Sequence, residues 1–154
     1  MIKLKTFGSF TVGNGLTSVQ EGAWRSEKLE KLFVYLAMNR NRGVCIEDIS
    51  EAIWQVEEET DNPVGALKNL AYRLRKALRD ASFGEECIVS VRGGLYKWND
   101  DVEVTIDVEE FDRYINEAEM AFCRSKETAI ESYEKAIALY HGDFLPLRTD
   151  THWF

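Results

Sequence analysis

Between Pro63 and Trp98 a basic helix runs directly into a β-hairpin with an arginine at its turn. Pro63 fits the first helical turn, where a missing N–H costs nothing. Leu67, Leu70, Leu74 and Leu78 then recur at three- and four-residue spacing, which predicts one buried stripe. Lys68, Asn69, Tyr72, Arg73 and Lys76 fall on the opposite side, with Arg75 and Arg79 on the flank. After a polar break at Ser82–Glu86, Ile88-Val89-Ser90-Val91 and Leu95-Tyr96-Lys97-Trp98 predict two strands around Arg92-Gly93-Gly94. A long cation at the tip of a two-stranded wing, beside a helix with a cationic outer face, suits a protein that straddles duplex DNA. The helix fits the major groove and Arg92 the narrower neighbouring one.

Local signals place further elements on either side. Ile2–Lys5 alternates apolar and polar, and Phe10-Thr11-Val12 predicts a second strand before Gly13-Asn14-Gly15, so a small antiparallel sheet is expected at the N-terminus. Ser26 is a good N-cap, and Leu29, Leu32, Phe33 and Leu36 give the next helix its buried face, ending in the polar segment Asn39–Gly43. Ile46, Ile49 and Ile53 place a short second helix that closes at Trp54, and the acidic run Gln55–Asn62 reads as a solvated loop.

Composition changes after Trp98, and Asn99-Asp100-Asp101 is the expected boundary between a first domain, residues 1–98, and a second, residues 99–154. Asp107 with Glu110 three residues later forms a capping-box pattern. Val108, Phe111, Ile115, Ala118 and Phe122 line one predicted helical face; Ala129, Tyr133, Ala136, Ile137 and Tyr140 line the next. Small residues alternating with tyrosines let two helices approach closely, as in the first pair of a tetratricopeptide-like array. One helix pair cannot bury its own face, and arrays usually need about three. The second segment is therefore expected to be cut short, or to present Trp153-Phe154 and its helical faces to a partner.

Hydrophobic residues make up 45% of the chain and charged ones 30%, as in a soluble protein with a real core. No apolar run approaches the roughly 18 residues that span a membrane, and the Met1–Lys5 start lacks the apolar stretch of a signal peptide. Cys45, Cys87 and Cys123 are odd in number and far apart, which fits a reducing cytoplasm better than a disulfide framework. The net charge of −8 is unevenly spread. Residues 1–98 hold 14 Lys+Arg against 13 Asp+Glu, a balance of +1; residues 99–154 hold 5 against 14, or −9. Within residues 65–98 the balance is 7 to 3, or +4, and nucleic-acid affinity follows the local positive surface.

Catalysis finds little support. His141 and His152 are neither spaced for metal binding nor accompanied by cysteine pairs, so no metal or cofactor is expected. Gly93-Gly94 is a hairpin turn and not a phosphate loop, because no helix follows it. For the basic helix the plainer alternative is a solvated face; the arginine-tipped hairpin directly after it favours DNA. Trp54 reads either as a core residue closing the second helix or as a functional one.

The segments Arg73–Leu78 and Val89–Tyr96 resemble the end of the winged-helix output domain of OmpR-type response regulators, and of the Streptomyces antibiotic regulatory protein group built on it. Phe7-Gly8, Arg25, Lys28 and Ile53-Trp54 agree with that resemblance. Downstream, Asp107–Phe111 and Leu139–Pro146 resemble the helical bacterial transcriptional activator domain that follows in the second group. The resemblance implies base reading at Ala66, Lys68, Asn69 and Arg73, with Asn69 suited to adenine and Arg73 to guanine. It implies phosphate contacts at Gly65, Leu70, Tyr72 and Arg75 and from the Trp54 indole N–H, with Arg92 in the minor groove. Lys76 joins the same basic face. Gly65, Ala66 and Leu70 stand where polar residues are common, and Cys45 replaces the usual serine or threonine cap of the second helix.

The expected fold is α+β: a winged helix-turn-helix with an N-terminal antiparallel sheet, then a tetratricopeptide-like helical segment. The expected function is sequence-specific duplex DNA binding for transcriptional activation, within two-component or phosphorelay signalling. The resemblance implies binding to direct repeats, contact with RNA polymerase and self-association through the helical segment. The competing expectation is a protein-interaction module, an acidic helical scaffold without DNA binding.

Overall fold

Ser26, Asn62 and Ser125 each precede a helix and each accepts a backbone N–H three residues on, so three of the five helices begin where a short polar side chain can satisfy an orphan donor. In the computed structural model, which describes residues 1–54, 61–83 and 86–145, the chain orders as follows. Strands β1 (Ile2–Lys5), β2 (Thr11–Gly13) and β3 (Ser18–Gln20) precede helices α1 (Glu27–Met38), α2 (Ile46–Ile53) and α3 (Pro63–Asp80). Strands β4 (Ile88–Val91), β5 (Leu95–Trp98) and β6 (Val104–Ile106) follow, then α4 (Asp107–Ala121) and α5 (Lys126–Leu139). Residues 55–60 of the expected Gln55–Asn62 loop, residues 84–85 of the break after α3, and the closing Trp153-Phe154 lie outside the described residues.

The N-terminal sheet departs from expectation. It has four strands in the order β3-β2-β1-β6; β1 pairs antiparallel with β2, but parallel with β6 in the register Ile2↔Val104 and Leu4↔Ile106. The alternation of β1 puts Ile2 and Leu4 into the core with Phe10, Val12, Val19 and the buried faces of α1 to α3. Aromatic rings fill the middle: Phe33 meets Trp98 edge-on at 5.3 Å and Trp24 at 5.6 Å.

Asp107 makes no capping box. Ile106 occupies the N-cap of α4 without a side-chain bond. The buried Asp107 carboxylate instead accepts the Thr6 amide at 2.8 and 2.9 Å, the Thr6 hydroxyl at 2.6 Å and the Phe7 amide at 3.0 Å. A carboxylate with several lone pairs serves these clustered donors better than it serves a single helix end. Beside it, Arg40 grips Glu109 through two bonds of 2.7 Å, which hold the guanidinium above its usual pKa. Gly8 has a φ of +78°, and a Cβ there would lie 2.5 Å from the His141 carbonyl oxygen. Phe7 packs on Phe111 and Tyr140 at 5.5 and 5.4 Å.

The α4–α5 pair is closed by small residues. Ala118, Ala129, Ser132 and Ala136 are buried, whereas Phe122, Ile137 and Tyr140, expected to face inward, are exposed. A seam lined by alanine and serine brings the two backbones close and leaves the bulky neighbours outside it. Ile115 and Tyr133 are half-buried.

Candidate nucleic-acid interface

The candidate surface begins at the cap of α3. Asn62 Oδ1 accepts the Gly65 N–H at 3.0 Å, and a Cβ at Gly65 would come within 2.7 Å of the Asn62 amide nitrogen. A side chain at this position would require the Asn62 amide to shift, as the flexible end of a side chain can. An asparagine directly before a helix-opening proline is the sequence signal for such a cap.

Along α3, Leu67, Leu70, Ala71, Leu74 and Leu78 face the core. Leu70 is 4% exposed, so the phosphate contact implied for it is corrected: its side chain packs inside the domain. Ala66 is half-buried. Lys68, Asn69, Tyr72, Arg73 and Lys76 are all exposed on the outer face, and Arg79 continues it. Among the described residues no ion pair engages Lys68, Arg73, Lys76, Arg79 or Arg92, so their charge remains available to a polyanion.

The two expected hairpin strands pair antiparallel, in the register Ile88↔Trp98 to Val91↔Leu95. Gly93 and Gly94 close it at φ +87° and +73°, which glycine adopts without steric cost, and Arg92 is exposed at that turn. Val44, between α1 and α2, adds a rung by exchanging backbone bonds of 2.7 and 2.9 Å with Tyr96. Arg75 is set apart from its neighbours. Half-buried, it donates from Nε to the Ile88 carbonyl at 3.3 Å and from Nη2 to Ser90 Oγ at 3.2 Å, with Glu86 Oε1 3.3 Å from Nε. Trp54 closes α2 half-buried, with Lys28 Nζ 5.8 Å from its ring centroid. Cys45 stands at the N-cap of α2 and makes no side-chain cap bond.

Among the described residues no group of His, Cys, Asp or Glu is placed to hold a metal ion. Nor is any described helix long and apolar enough to cross a membrane. Three helices behind a sheet, a basic third helix and a hairpin braced on it define a winged helix-turn-helix, a fold of DNA-binding transcription regulators. Residues 21–98 match the family described as "Transcriptional regulatory protein, C terminal", half of the chain, and the chain belongs to that family. No curated protein matches the sequence. Among solved structures it is similar to Mycobacterium tuberculosis EmbR, solved in complex with a low affinity phosphopeptide, at 21% identity and a TM-score of 0.73. The superposition covers 99% of this chain and 38% of the EmbR chain. At that identity the likeness is one of fold.

Proposed function

We propose that the chain binds duplex DNA sequence-specifically to control transcription, with α3 in the major groove and Arg92 in the adjacent minor groove. One observation carries this reading: Lys68, Asn69, Tyr72, Arg73 and Lys76 are together exposed on the face of α3 opposite its core stripe, in a domain whose wing carries Arg92. In this reading Asn69 pairs with adenine and Arg73 with guanine, Lys68 serves base edges or phosphates, and Tyr72, Lys76 and the Trp54 indole hold phosphates. The −9 balance of residues 99–154 opposes non-specific binding by repulsion, so an isolated chain binds modestly.

The finer proposal follows the Streptomyces antibiotic regulatory protein group. Residues 1–98 read DNA at direct repeats in the cytoplasm; residues 99–154 begin a tetratricopeptide-like activator domain that self-associates, and the assembly contacts RNA polymerase to activate transcription in response to a signalling relay. The similarity of fold along 99% of the chain to EmbR supports the order of the two parts.

Titration with duplexes recovered by randomised-site selection, at two salt concentrations, tests the central claim. A DNA binder loses affinity steeply as salt rises, in proportion to the phosphates it neutralises. Equal affinity at both salts, or no selected sequence, would favour the protein-interaction module instead.

A further inference from the structure

Tyr96 directs both its backbone groups at Val44, which turns them away from β4. Its partner Ser90 on β4 therefore points its own backbone groups outward, and so does Ile88, two residues earlier on the same strand. The outer edge of the wing thus presents an unpaired Ile88 carbonyl and the Ser90 hydroxyl toward α3. Arg75 reaches across and binds both, at 3.3 and 3.2 Å, and Glu86 holds the same guanidinium from the strand's approach. Ser90 lies two residues before Arg92, and Arg75 lies two residues after Arg73. One side chain therefore ties the helix that carries Arg73 to the strand that leads into the Arg92 turn.

We propose, on the DNA-binding reading above, that Arg75 is a positioning residue: it fixes the wing against the recognition helix, so that the base-paired core and the flanking groove are read at one set spacing. The resemblance implies a phosphate contact at this position. Here the fork is spent inside the protein, where a planar two-pronged donor matches two acceptors that a lysine ammonium would not span.

The test uses the full chain and selected duplexes flanked by A·T or by G·C. In Arg75→Ala the preference for A·T flanks falls to about one, as in Arg92→Ala, while the preference at the Arg73 base position stays. Adding Arg75→Ala to Arg92→Ala changes neither affinity nor salt slope further, because the contact it positions is already gone. Arg75→Lys keeps the charge and behaves like alanine. Ser90→Ala, which alters no charge, shifts flank preference in the same direction.

A phosphate ligand gives the opposite pattern: intact flank preference in Arg75→Ala, recovery in Arg75→Lys, and a further loss of about one unit of salt slope in the double variant. That pattern overturns the positioning role. If circular dichroism shows Arg75→Ala unfolded, Arg75→Lys and Ser90→Ala decide, and intact flank preference in both also overturns it. Failure of the unsubstituted chain to bind any selected duplex is a different result, and it overturns the DNA reading together with this one.

Discussion

Asp107 and Thr6, 101 residues apart, are joined by three hydrogen bonds, two from the Thr6 amide and one from its hydroxyl. Thr6 is fully buried, and the same carboxylate also accepts the Phe7 and Val108 amides. The start of α4 is thereby locked to the end of β1. Replacing Asp107 with alanine strands buried donors, and charged hydrogen bonds of this kind cost about 3 kcal/mol when one partner is lost. Asp107→Ala should lower unfolding stability by about that amount in urea, and Thr6→Val, which removes only the hydroxyl, by about 1 kcal/mol. A change within about 0.5 kcal/mol for Asp107→Ala, the usual range for a surface substitution, would mean that water replaces the carboxylate.

Arg73→Ala should relax base preference at a single position by about 1–3 kcal/mol, the worth of a bidentate contact to guanine. Randomised-site selection with the variant is the measurement. An unchanged consensus would remove Arg73 from the reading set.

The wing arginine should behave otherwise. Arg92 sits exposed at a glycine-closed turn, so Arg92→Ala should weaken binding most on A·T-rich flanks and reduce the salt slope by about one unit. Equal losses on A·T and G·C flanks would leave it a phosphate contact outside the groove.

Tyr35 offers a test of the core through pH. Its phenol is raised above the ordinary 10.0, chiefly because burial disfavours the phenolate; Asp48 and Cys45 push the same way and Arg42 opposes them. Below pH 10 the phenol is neutral in folded and unfolded chains alike, and its contribution is complete. Above that, the unfolded chain loses its proton first, so stability falls as pH rises toward the higher folded value. Urea midpoints of Tyr35→Phe should therefore decline less steeply above pH 10 than those of the parent. Parallel curves would assign the alkaline limb to other groups.

Ile130 and Ile137 lie seven residues apart on α5, two turns along one face, and are 55% and 70% exposed. If this face carries the proposed self-association, the sedimenting mass of the full chain should rise with concentration, and that of Ile130→Glu/Ile137→Glu should stay at one chain. A monomer at every concentration in both would count against it.

Elements governed by neighbours in sequence were legible: the leucine stripe of α3, the serine cap of α1 and the hairpin strands all occur where spacing and turn chemistry put them. Strand β6 was not. Val104-Thr105-Ile106 is three residues long, and its strand character comes from pairing with β1 about a hundred residues away. Asp107 carries a cap's pattern yet bonds to Thr6, because distant amides outcompete a helix end that sequence alone shows as nearest. Lys68, Asn69, Arg73 and Lys76 could be placed on the outer face from periodicity. Arg75 could be placed on the flank, but its bonds to the wing could not be read, since one of its partners is a backbone carbonyl whose direction depends on how β5 meets Val44.

The parallel pairing of β1 with β6 also sets a schedule for biosynthesis. A ribosome delivers β1 well before β6, so its second neighbour and the Asp107 carboxylate emerge only after the three helices and the hairpin have been made. Until then one edge of β1 stands open, with Ile2, Leu4 and the Thr6 amide waiting for residues about a hundred positions later. Contacts of such sequence separation form slowly and leave strand edges exposed to other chains meanwhile. The nascent protein is therefore most prone to mispairing in the interval before β6 emerges, when the three helices and the hairpin already exist and the strand that pairs with the open edge of β1 does not.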